Sequence, residues 1–294
     1  MRRFVAALLL CVSAAVSAAP KQSIVQAEYA FGQAVKQHGL RDGFLSCMDE
    51  QAIAFVPQPG SARTFYSSRP AGPSTLTWYP VMARLAASGD FGFTSGPWQV
   101  SFTDRNGMPQ TVHGDYATVW HRAADGTWRW LLDAGVPHPA PAEHATALPD
   151  SADSKAYQLA AAKRYRIVKD AALTDLDVTF TDLATHHGMR ALYRTLGAKE
   201  LRVLQFDAQP LNGRAAVVKA MPPDRAELKW IASGSGIASS GDLAYTYGMA
   251  YHAQGDLGHA PQTVYLHIWQ RDKRGWKLLL DLENALPPPR GAAH

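Results

Sequence analysis

The sequence predicts an α+β protein with two tandem cone-shaped domains, each with N-terminal helices packed on a strongly curved antiparallel sheet. The first observation behind this prediction is a nine-residue stretch that occurs twice, as SGDFGFTSG at 88–96 and SGDLAYTYG at 240–248. In both places a Ser-Gly-Asp turn leads into an alternating run that is typical of a strand. Secondly, the whole order of elements returns after about 150 residues, the length of a domain. Thirdly, short turns separate successive strands, which indicates an antiparallel meander.

The first copy begins with apolar residues at helical spacing over 22–38, and Gly39 follows as a typical helix-ending residue. A shorter helix is predicted over 40–48. Residues 51–56 alternate as a strand, which the proline-containing run at 57–60 ends. Four further strand segments are separated by hairpin-type turns, at 76–87, 91–102, 114–122 and 127–134. A bent sheet with helices across its mouth encloses a cone that can hold a pocket.

Matching residues recur in register in the second half of the chain, and their spacing drifts only by loop-sized steps. The pairs include Glu28 and Asp177, Phe31 and Phe180, His38 and His187, Trp78 and Trp230, Asp90 and Asp242, Thr94 and Thr246, Trp120 and Trp269, and Asp133 and Asp281. We infer a tandem duplication of a whole domain, since the period is far longer than that of a solenoid repeat.

The predicted organisation follows from this duplication. After residues 1–18, the divisions are a first domain at 19–135, a Pro/Ala-rich linker at 136–154, a second domain at 155–286 and a tail at 287–294. The stretch 155–172 has no counterpart before the first copy. It either lengthens the first helix of the second domain or packs between the domains.

Residues 1–18 have the pattern of a secretory signal peptide. Two arginines precede an apolar run that is too short to span a bilayer, and small residues end at Ala18, where we expect cleavage. The mature protein is therefore expected to be periplasmic or secreted, with no membrane association after cleavage. It would keep only Cys47, which cannot form an internal disulfide and is interpreted as a small buried apolar residue.

Composition excludes some classes of function. The chain has 294 residues, 47% of them hydrophobic and 18% charged, which suffices for two domains with their own cores. Its formal net charge is only +4, and no basic stripe interleaved with aromatic residues is visible. We therefore expect no nucleic-acid partner.

Several motifs together resemble a known superfamily. They are GLRDGF at 39–44 with its echo GMRALY at 188–193, a Trp ahead of each Ser-Gly-Asp turn, and the closing strands WHRAADGTWRWLLD and WQRDKRGWKLLLD. The chain resembles, in two tandem copies, the SnoaL-like branch (domain of unknown function 4440) of the nuclear transport factor two-like, or ketosteroid-isomerase-like, superfamily. The resemblance covers 22–135 and about 171–286. It implies the cone-shaped fold, whose members include isomerases, dehydratases, cyclases and proteins that only bind or dimerise.

The candidate catalytic residues are His38, His187 and Asp207 as bases and Tyr245 as a hydrogen-bond donor. The two histidines end the first helix of each copy, where capping of free carbonyls explains them equally. The resemblance implies a carboxylate just before the proline that ends the first strand. That position is apolar in the first copy, where Val56 precedes the proline, and only Asp207 lies near it in the second. An aspartate that closes a strand is more typical of a turn, which is the alternative role for Asp207.

Other carboxylates have structural interpretations. Asp90 and Asp242 are expected to accept backbone hydrogen bonds in their turns. Asp133 and Asp281 end the last strand of each copy, where a carboxylate either reaches into the cone or pairs with Arg41 and Arg190. Of these, we expect ion pairs with the arginines or helix capping, because both members of each pair recur in both copies. His252, His259 and His267 lack the spacing of a helical zinc site, so no metal is expected.

Aromatic residues on the strands are the candidate ligand-binding residues. They are Trp78, Phe93, Trp120, Trp230, Tyr247 and Trp269. Strand alternation divides the aromatic residues between the two faces of each sheet, and the sequence does not say which half lines the cavity. A pocket of this kind suits a flat, mostly apolar molecule.

The expected function is that of an exported protein that binds a small apolar or aromatic molecule in a cone-shaped pocket without a cofactor. Two alternatives stay open: a cofactor-free acid-base enzyme of the isomerase, dehydratase or cyclase type, and a scaffold in which the two domains pair within one chain and leave no open pocket. In each case the two domains are expected to pack on each other.

Overall fold

The computed structural model describes residues 22–70, 72–151, 154–160, 170–252 and 261–287. The predicted signal peptide, residues 161–169 of the stretch 155–172, and all but the first residue of the predicted tail lie outside these ranges. Within the described part of the chain, no helix combines the length and the apolar character that crossing a membrane requires.

The first copy follows the predicted order of elements. A helix, two strands and a second helix precede a run of strands: α1 (Ile24–Cys47), β1 (Met48–Phe55), β2 (Pro59–Ser61), α2 (Ala62–Ser67), β3 (Thr75–Trp78), β4 (Met82–Leu85), β5 (Phe91–Thr103), β6 (Pro109–Arg122) and β7 (Trp128–His138). Ser23 and Gln26 form a capping box at the start of α1. Gly39 has a φ of +80° and bends α1, so the two predicted helices form one kinked helix.

The strands of the first copy form one sheet in the order β2-β1-β7-β6-β5-β3, with β4 also paired to β5. One pair departs from the expected antiparallel pattern, because β1 lies parallel to β7. The predicted strand 76–87 is split into β3 and β4, since Pro80 between them has no N–H to donate. Strand β7 runs to His138, into the stretch that the sequence analysis assigns to the linker.

The second copy repeats this arrangement with the elements α3 (Asp170–His187), α4 (Met189–Leu196), β8 (Gly197–Gln205), β9 (Leu211–Asn212), α5 (Arg214–Ala220), β10 (Leu228–Ile237), β11 (Leu243–His252), β12 (Thr263–Asp272) and β13 (Gly275–Ala285). The sheet order is β10-β11-β12-β13-β8-β9, and β13 again lies parallel to β8. A register shift between Ala232 and Gly234 marks a bulge in β10. A Cβ at Gly234 would lie 2.6 Å from the Tyr247 ring, so glycine permits this contact.

Both sheets carry a bulge at the same place. The register between β6 and β7 shifts between Val119 and Trp120, and that between β12 and β13 shifts between Ile268 and Trp269. A bulge bends a strand and increases its twist, so each sheet curves over the helices of its own copy. The structure thus has the predicted α+β class, with helices on one face of each of two sheets.

The other faces of the two sheets pack against each other. One core cluster contains buried side chains of both copies, including Phe91, Phe93 and Val119 from the first and Tyr245, Leu266 and Ile268 from the second. The rings of Phe91 and Tyr245 stack at a centroid distance of 5.9 Å. Strand alternation therefore gives each sheet one face toward its helices and one toward the other sheet.

The duplicated Ser-Gly-Asp turns meet at this contact. Asp242 Oδ2 accepts the backbone N–H of Ala87 at 3.0 Å, and Asp90 Oδ2 accepts that of Ser239 at 3.3 Å. The hydroxyls of Ser88 and Ser240 are 2.9 Å apart. The two aspartates accept backbone hydrogen bonds from the opposite copy, whereas within its own turn each accepts the hydroxyl of Ser88 or Ser240.

Part of the segment between the copies packs on the first copy. The Leu148 N–H donates to Pro80 O at 2.8 Å, and the Tyr29 hydroxyl donates to Leu148 O at 2.6 Å. Further along the chain, the Leu85 N–H donates to Tyr157 O at 2.9 Å, and the Leu159 N–H donates to Leu85 O at 2.8 Å. The described start of the predicted second domain thus lies along β4 of the first copy.

Candidate functional site

The first copy contains a cavity of about 430 Å³ between its helices and the inner face of its sheet. Its walls are mostly aromatic and aliphatic. The lining residues include Phe31, Leu40, Phe44, Phe55, Val56, Phe65, Tyr66, Leu76, Trp78, Trp98 and Val100. Cavities of this size and character accommodate small organic molecules in many proteins.

Few polar groups interrupt this apolar lining. Asp133 on β7 faces the cavity, and its Oδ1 accepts the Thr118 hydroxyl at 2.7 Å. Burial raises the pKa of Asp133 to about 6, although the bond from Thr118 acts in the opposite direction. Tyr116 also lines the cavity, and its buried hydroxyl has no hydrogen-bond partner within the described part of the chain. Arg69, an exposed side chain, lies at the rim.

Glu28, on α1, holds one wall of the cavity in place. Its carboxylate accepts hydrogen bonds from Trp78 Nε1 and the Thr94 hydroxyl, and from Trp120 Nε1 at 3.0 Å. Burial, and to a smaller extent the charge of Asp133, raises the pKa of Glu28 to about 7 against these bonds. Because Trp78 both lines the cavity and bonds to Glu28, the buried carboxylate fixes the position of that indole.

The second copy has a carboxylate at the equivalent position, but its partners differ. Asp177 on α3 accepts from the Thr246 hydroxyl at 2.9 Å, the Tyr265 hydroxyl at 3.0 Å and His267 Nδ1 at 2.7 Å. Burial alone would lower the pKa of His267, yet its bonds to Asp177 and Asp281 raise it to about 10. The imidazole is thus held as a cation between two carboxylates.

Two further buried contacts continue this network. Asp281 Oδ2 accepts the Tyr193 hydroxyl at 2.7 Å, and Glu283 Oε1 accepts Trp230 Nε1 at 2.6 Å. Burial and the charge of Asp281 raise the pKa of Glu283 to about 8. The inner face of the second sheet therefore carries a network of charged, hydrogen-bonded side chains, whereas the inner face of the first sheet borders an apolar cavity.

The structure does not bring the predicted catalytic residues together. His38 and His187 are exposed at the ends of helical segments, and Gly39 and Gly188 follow them with positive φ. Asp207 is exposed in a turn, where its N–H donates to Pro137 O at 2.9 Å. Tyr245 lies between the two sheets, on the face away from the cone. None of these four side chains is among the residues that line the cavity.

The predicted ligand-binding residues divide between the two faces of the sheets. Trp78 lines the cavity, and Trp120 is buried behind it in the same core cluster. Trp230 and Trp269 hold the equivalent places in the second copy, where both are buried. Phe93 and Tyr247, by contrast, pack between the sheets, because they fall on the alternate positions of β5 and β11.

The expected ion pairs of Asp133 and Asp281 are not formed. Arg41 pairs with its neighbour Asp42 at 2.8 Å, at the exposed end of α1. Arg190 Nε donates to Met221 O at 3.0 Å. Both aspartates instead face the interior of their own cone, which explains why they recur in both copies.

The central polar groups of both copies were therefore not predicted from the sequence. Glu28 and Asp177 served there only as evidence of duplication, although two carboxylates at the same position of an apolar helix face already indicate a buried polar contact. His267 replaces Thr118 in the duplicated register, since each is the cross-strand partner of the last aspartate of its copy. Such a replacement of hydroxyl by imidazole was a visible signal.

Comparisons with known proteins find likeness at the level of structure only. No protein-family model and no curated protein matches the chain. A nuclear transport factor 2-like superfamily protein from Salmonella enterica subsp. enterica serovar Typhimurium str. LT2 is 16% identical, covers 42% of this chain and 93% of its own, and has a TM-score of 0.33.

Two further solved structures give similar values. A ketosteroid isomerase-like protein from Erwinia carotovora atroseptica SCRI1043 is 10% identical over 41% of this chain and 98% of its own, with a TM-score of 0.33. The CaMKII hub of S. rosetta is 18% identical, covers 42% of this chain and 99% of its own, and also has a TM-score of 0.33. Likeness of this degree transfers no activity, ligand or assembly to this chain.

The buried carboxylate of Glu28 makes stability depend on pH. Its pKa is about 7 in the folded chain and about 4.5 in the unfolded chain, so its stabilising contribution is complete below about 4.5 and is lost as the pH rises through about 7. In a Glu28→Gln variant the amide can still accept from Trp78 and donate to Thr94. We expect the wild-type chain to lose about 2 to 3 kcal/mol relative to this variant between pH 5 and pH 8.

Urea unfolding at both pH values measures this difference. Exposed Glu50, changed to Gln, is the matched control and should give a difference from wild type that does not vary with pH. The prediction would be contradicted if the free energies of unfolding of the wild type and Glu28→Gln differed by the same amount at pH 5 and pH 8.

Proposed function

We propose that the first copy binds a small, mostly apolar or aromatic molecule that carries a hydrogen-bonding group at one end. The observation that carries this proposal is the Tyr116 hydroxyl, which is buried on the cavity wall without a hydrogen-bond partner in the described residues. A buried hydroxyl without a partner costs about 1 to 3 kcal/mol, so a ligand that supplies an acceptor would recover this free energy.

The electrostatics of the site support the same assignment. Burial, and then the charges of Glu28 and Asp133, raises the pKa of Tyr116 well above its usual range, so the hydroxyl stays a neutral donor. Asp133 offers a second polar contact on the same wall, and the remaining lining is apolar. The scaffold alternative is supported by the packing of the two sheets, but it leaves the 430 Å³ cavity without a role.

Binding of two matched probes tests this proposal. We expect 2-naphthol to bind and to quench the fluorescence of Trp78 and Trp98 in the cavity wall. Because the Tyr116→Phe variant loses only the hydroxyl, it should bind 2-naphthol about tenfold more weakly and 2-methylnaphthalene with unchanged affinity. Calorimetric titration gives both affinities.

Tyr245→Phe is the matched control, since this tyrosine lies between the sheets and should not affect either probe. The proposal fails if neither probe binds. It also fails if Tyr245→Phe weakens 2-naphthol as much as Tyr116→Phe does.

Asp133 favours a second candidate function, cofactor-free proton transfer beside a carbonyl group. A carboxylate with a pKa of about 6, in an apolar cavity, is a stronger base than an exposed aspartate and is still ionised at neutral pH. The neutral Tyr116 hydroxyl would donate to the carbonyl oxygen as negative charge develops there. In this mechanism Asp133 removes the α-proton, the C–H electron pair moves to form an enolate whose oxygen accepts the Tyr116 hydroxyl, and the protonated Asp133 returns a proton to the same carbon.

Exchange of the α-protons of 2-tetralone in deuterated water, followed by NMR, tests this second candidate. The rate should rise with pH and level off above about pH 6, because only the ionised form of Asp133 accepts a proton. Asp133→Asn should lower the rate by a factor of about 100 or more. Asp207→Asn, a change in an exposed turn, should have no effect, and the reverse pattern would exclude Asp133 as the base.

We also propose that the chain is exported and acts in the periplasm or outside the cell. This proposal rests on the sequence pattern of residues 1–18, which lie outside the described residues. The intact mass of the protein from the periplasmic fraction of a Gram-negative host should correspond to a chain that begins at Ala19. Ala18→Trp should accumulate as uncleaved precursor, since signal peptidases require a small residue at that position. Full-length wild-type chain in the cytoplasmic fraction would contradict export.

A further inference from the structure

Three side chains of the types that coordinate metal ions lie close together in the second copy, away from the cavity of the first copy. His267 lies on β12 and is the direct cross-strand partner of Asp281 on β13. Glu283 follows two residues later and therefore projects from the same face of the sheet. Their donor atoms all lie within 4.8 Å of one another.

Each of these three residues is held by a partner at its other polar atom. His267 Nδ1 bonds to Asp177 Oδ1 at 2.7 Å, Asp281 Oδ2 accepts the Tyr193 hydroxyl, and Glu283 Oε1 accepts Trp230 Nε1. This is the arrangement that supports metal ligands in proteins, where a carboxylate bound to the far nitrogen of a histidine fixes the direction of the near one.

The atoms that remain, His267 Nε2 and Asp281 Oδ1, are buried and lie next to each other. In the part of the chain that the structure describes, His267 Nε2 and Asp281 Oδ1 form no hydrogen bond and face only each other as an ion pair, and both side chains are at most 1% exposed. They are 3.5 Å apart. Two ligands of one tetrahedral zinc ion at about 2.1 Å lie about 3.4 Å from each other, so this pair has the spacing that a shared ion requires.

We propose that the second copy binds one divalent first-row transition metal ion, such as Zn²⁺, through His267 Nε2, Asp281 Oδ1 and the carboxylate of Glu283, with the ion taking the place of the proton on His267 Nε2. An imidazole with two carboxylates suits Zn²⁺ or Mn²⁺, whereas Ca²⁺ and Mg²⁺ prefer sites built from oxygen alone.

The first copy provides an internal comparison. Thr118, Asp133 and Gly135 occupy the positions of His267, Asp281 and Glu283, so that only one carboxylate ligand remains there. The proposal therefore specifies one ion per chain, bound in the second copy.

Calorimetric titration of the full mature chain with ZnCl₂ at pH 7, after removal of metal by chelation and dialysis, tests the proposal. We expect one Zn²⁺ per chain, confirmed by native mass spectrometry, and a melting temperature that rises with zinc concentration. Glu283→Gln keeps an acceptor for Trp230 and should weaken zinc binding at least tenfold. Asp133→Asn, the equivalent change in the first copy, should leave zinc binding unchanged.

Asp281→Asn serves as a second variant, because its amide oxygen can still accept the Tyr193 hydroxyl. Circular dichroism establishes that each variant is folded before titration. Absence of zinc binding by the wild-type chain overturns the proposal whatever the variants do. Binding that neither Glu283→Gln nor Asp281→Asn weakens also overturns it, since the ion would then lie on other histidines of the chain.

Discussion

The fold of each copy depends on one buried carboxylate that ties the first helix to the inner face of the sheet. Glu28 and Asp177 are each only 1% exposed, and each accepts a hydrogen bond from the threonine of the duplicated strand, Thr94 or Thr246. A buried charge is costly unless such bonds compensate it, so the helix has one favourable position on the sheet. That position sets the distance between helix and strands, and with it the space inside the cone.

The duplication, the fold class and the connecting turns could be predicted from the sequence because they depend on local chemistry. Glycines, aspartates and strand alternation report on backbone conformation within a few residues. The parallel pairing of β1 with β7 was not predictable in this way, since a strand that returns from the far end of the meander leaves no local pattern. The break at Pro80 was visible in the sequence, but its effect on 76–87 was underestimated.

The site was predicted less well than the fold, for a related reason. Strand alternation divides the aromatic residues between the two faces of each sheet. Only the packing of the two sheets on each other decides that Phe93 faces the other sheet and that Trp120 faces the helices. Asp133 was assigned to an arginine because both residues recur in both copies. Recurrence shows that residues are maintained together, and it does not show that they touch.

Because the two copies belong to one chain, their interiors can carry different residues. In a symmetric dimer every substitution is made twice, so a charged cluster such as His267 with Asp281 would displace the apolar cavity from both subunits. A fused pair escapes that symmetry while keeping the same sheet-to-sheet contact. One half can hold an apolar chamber and the other a charged one, and each can change without altering its neighbour's chemistry.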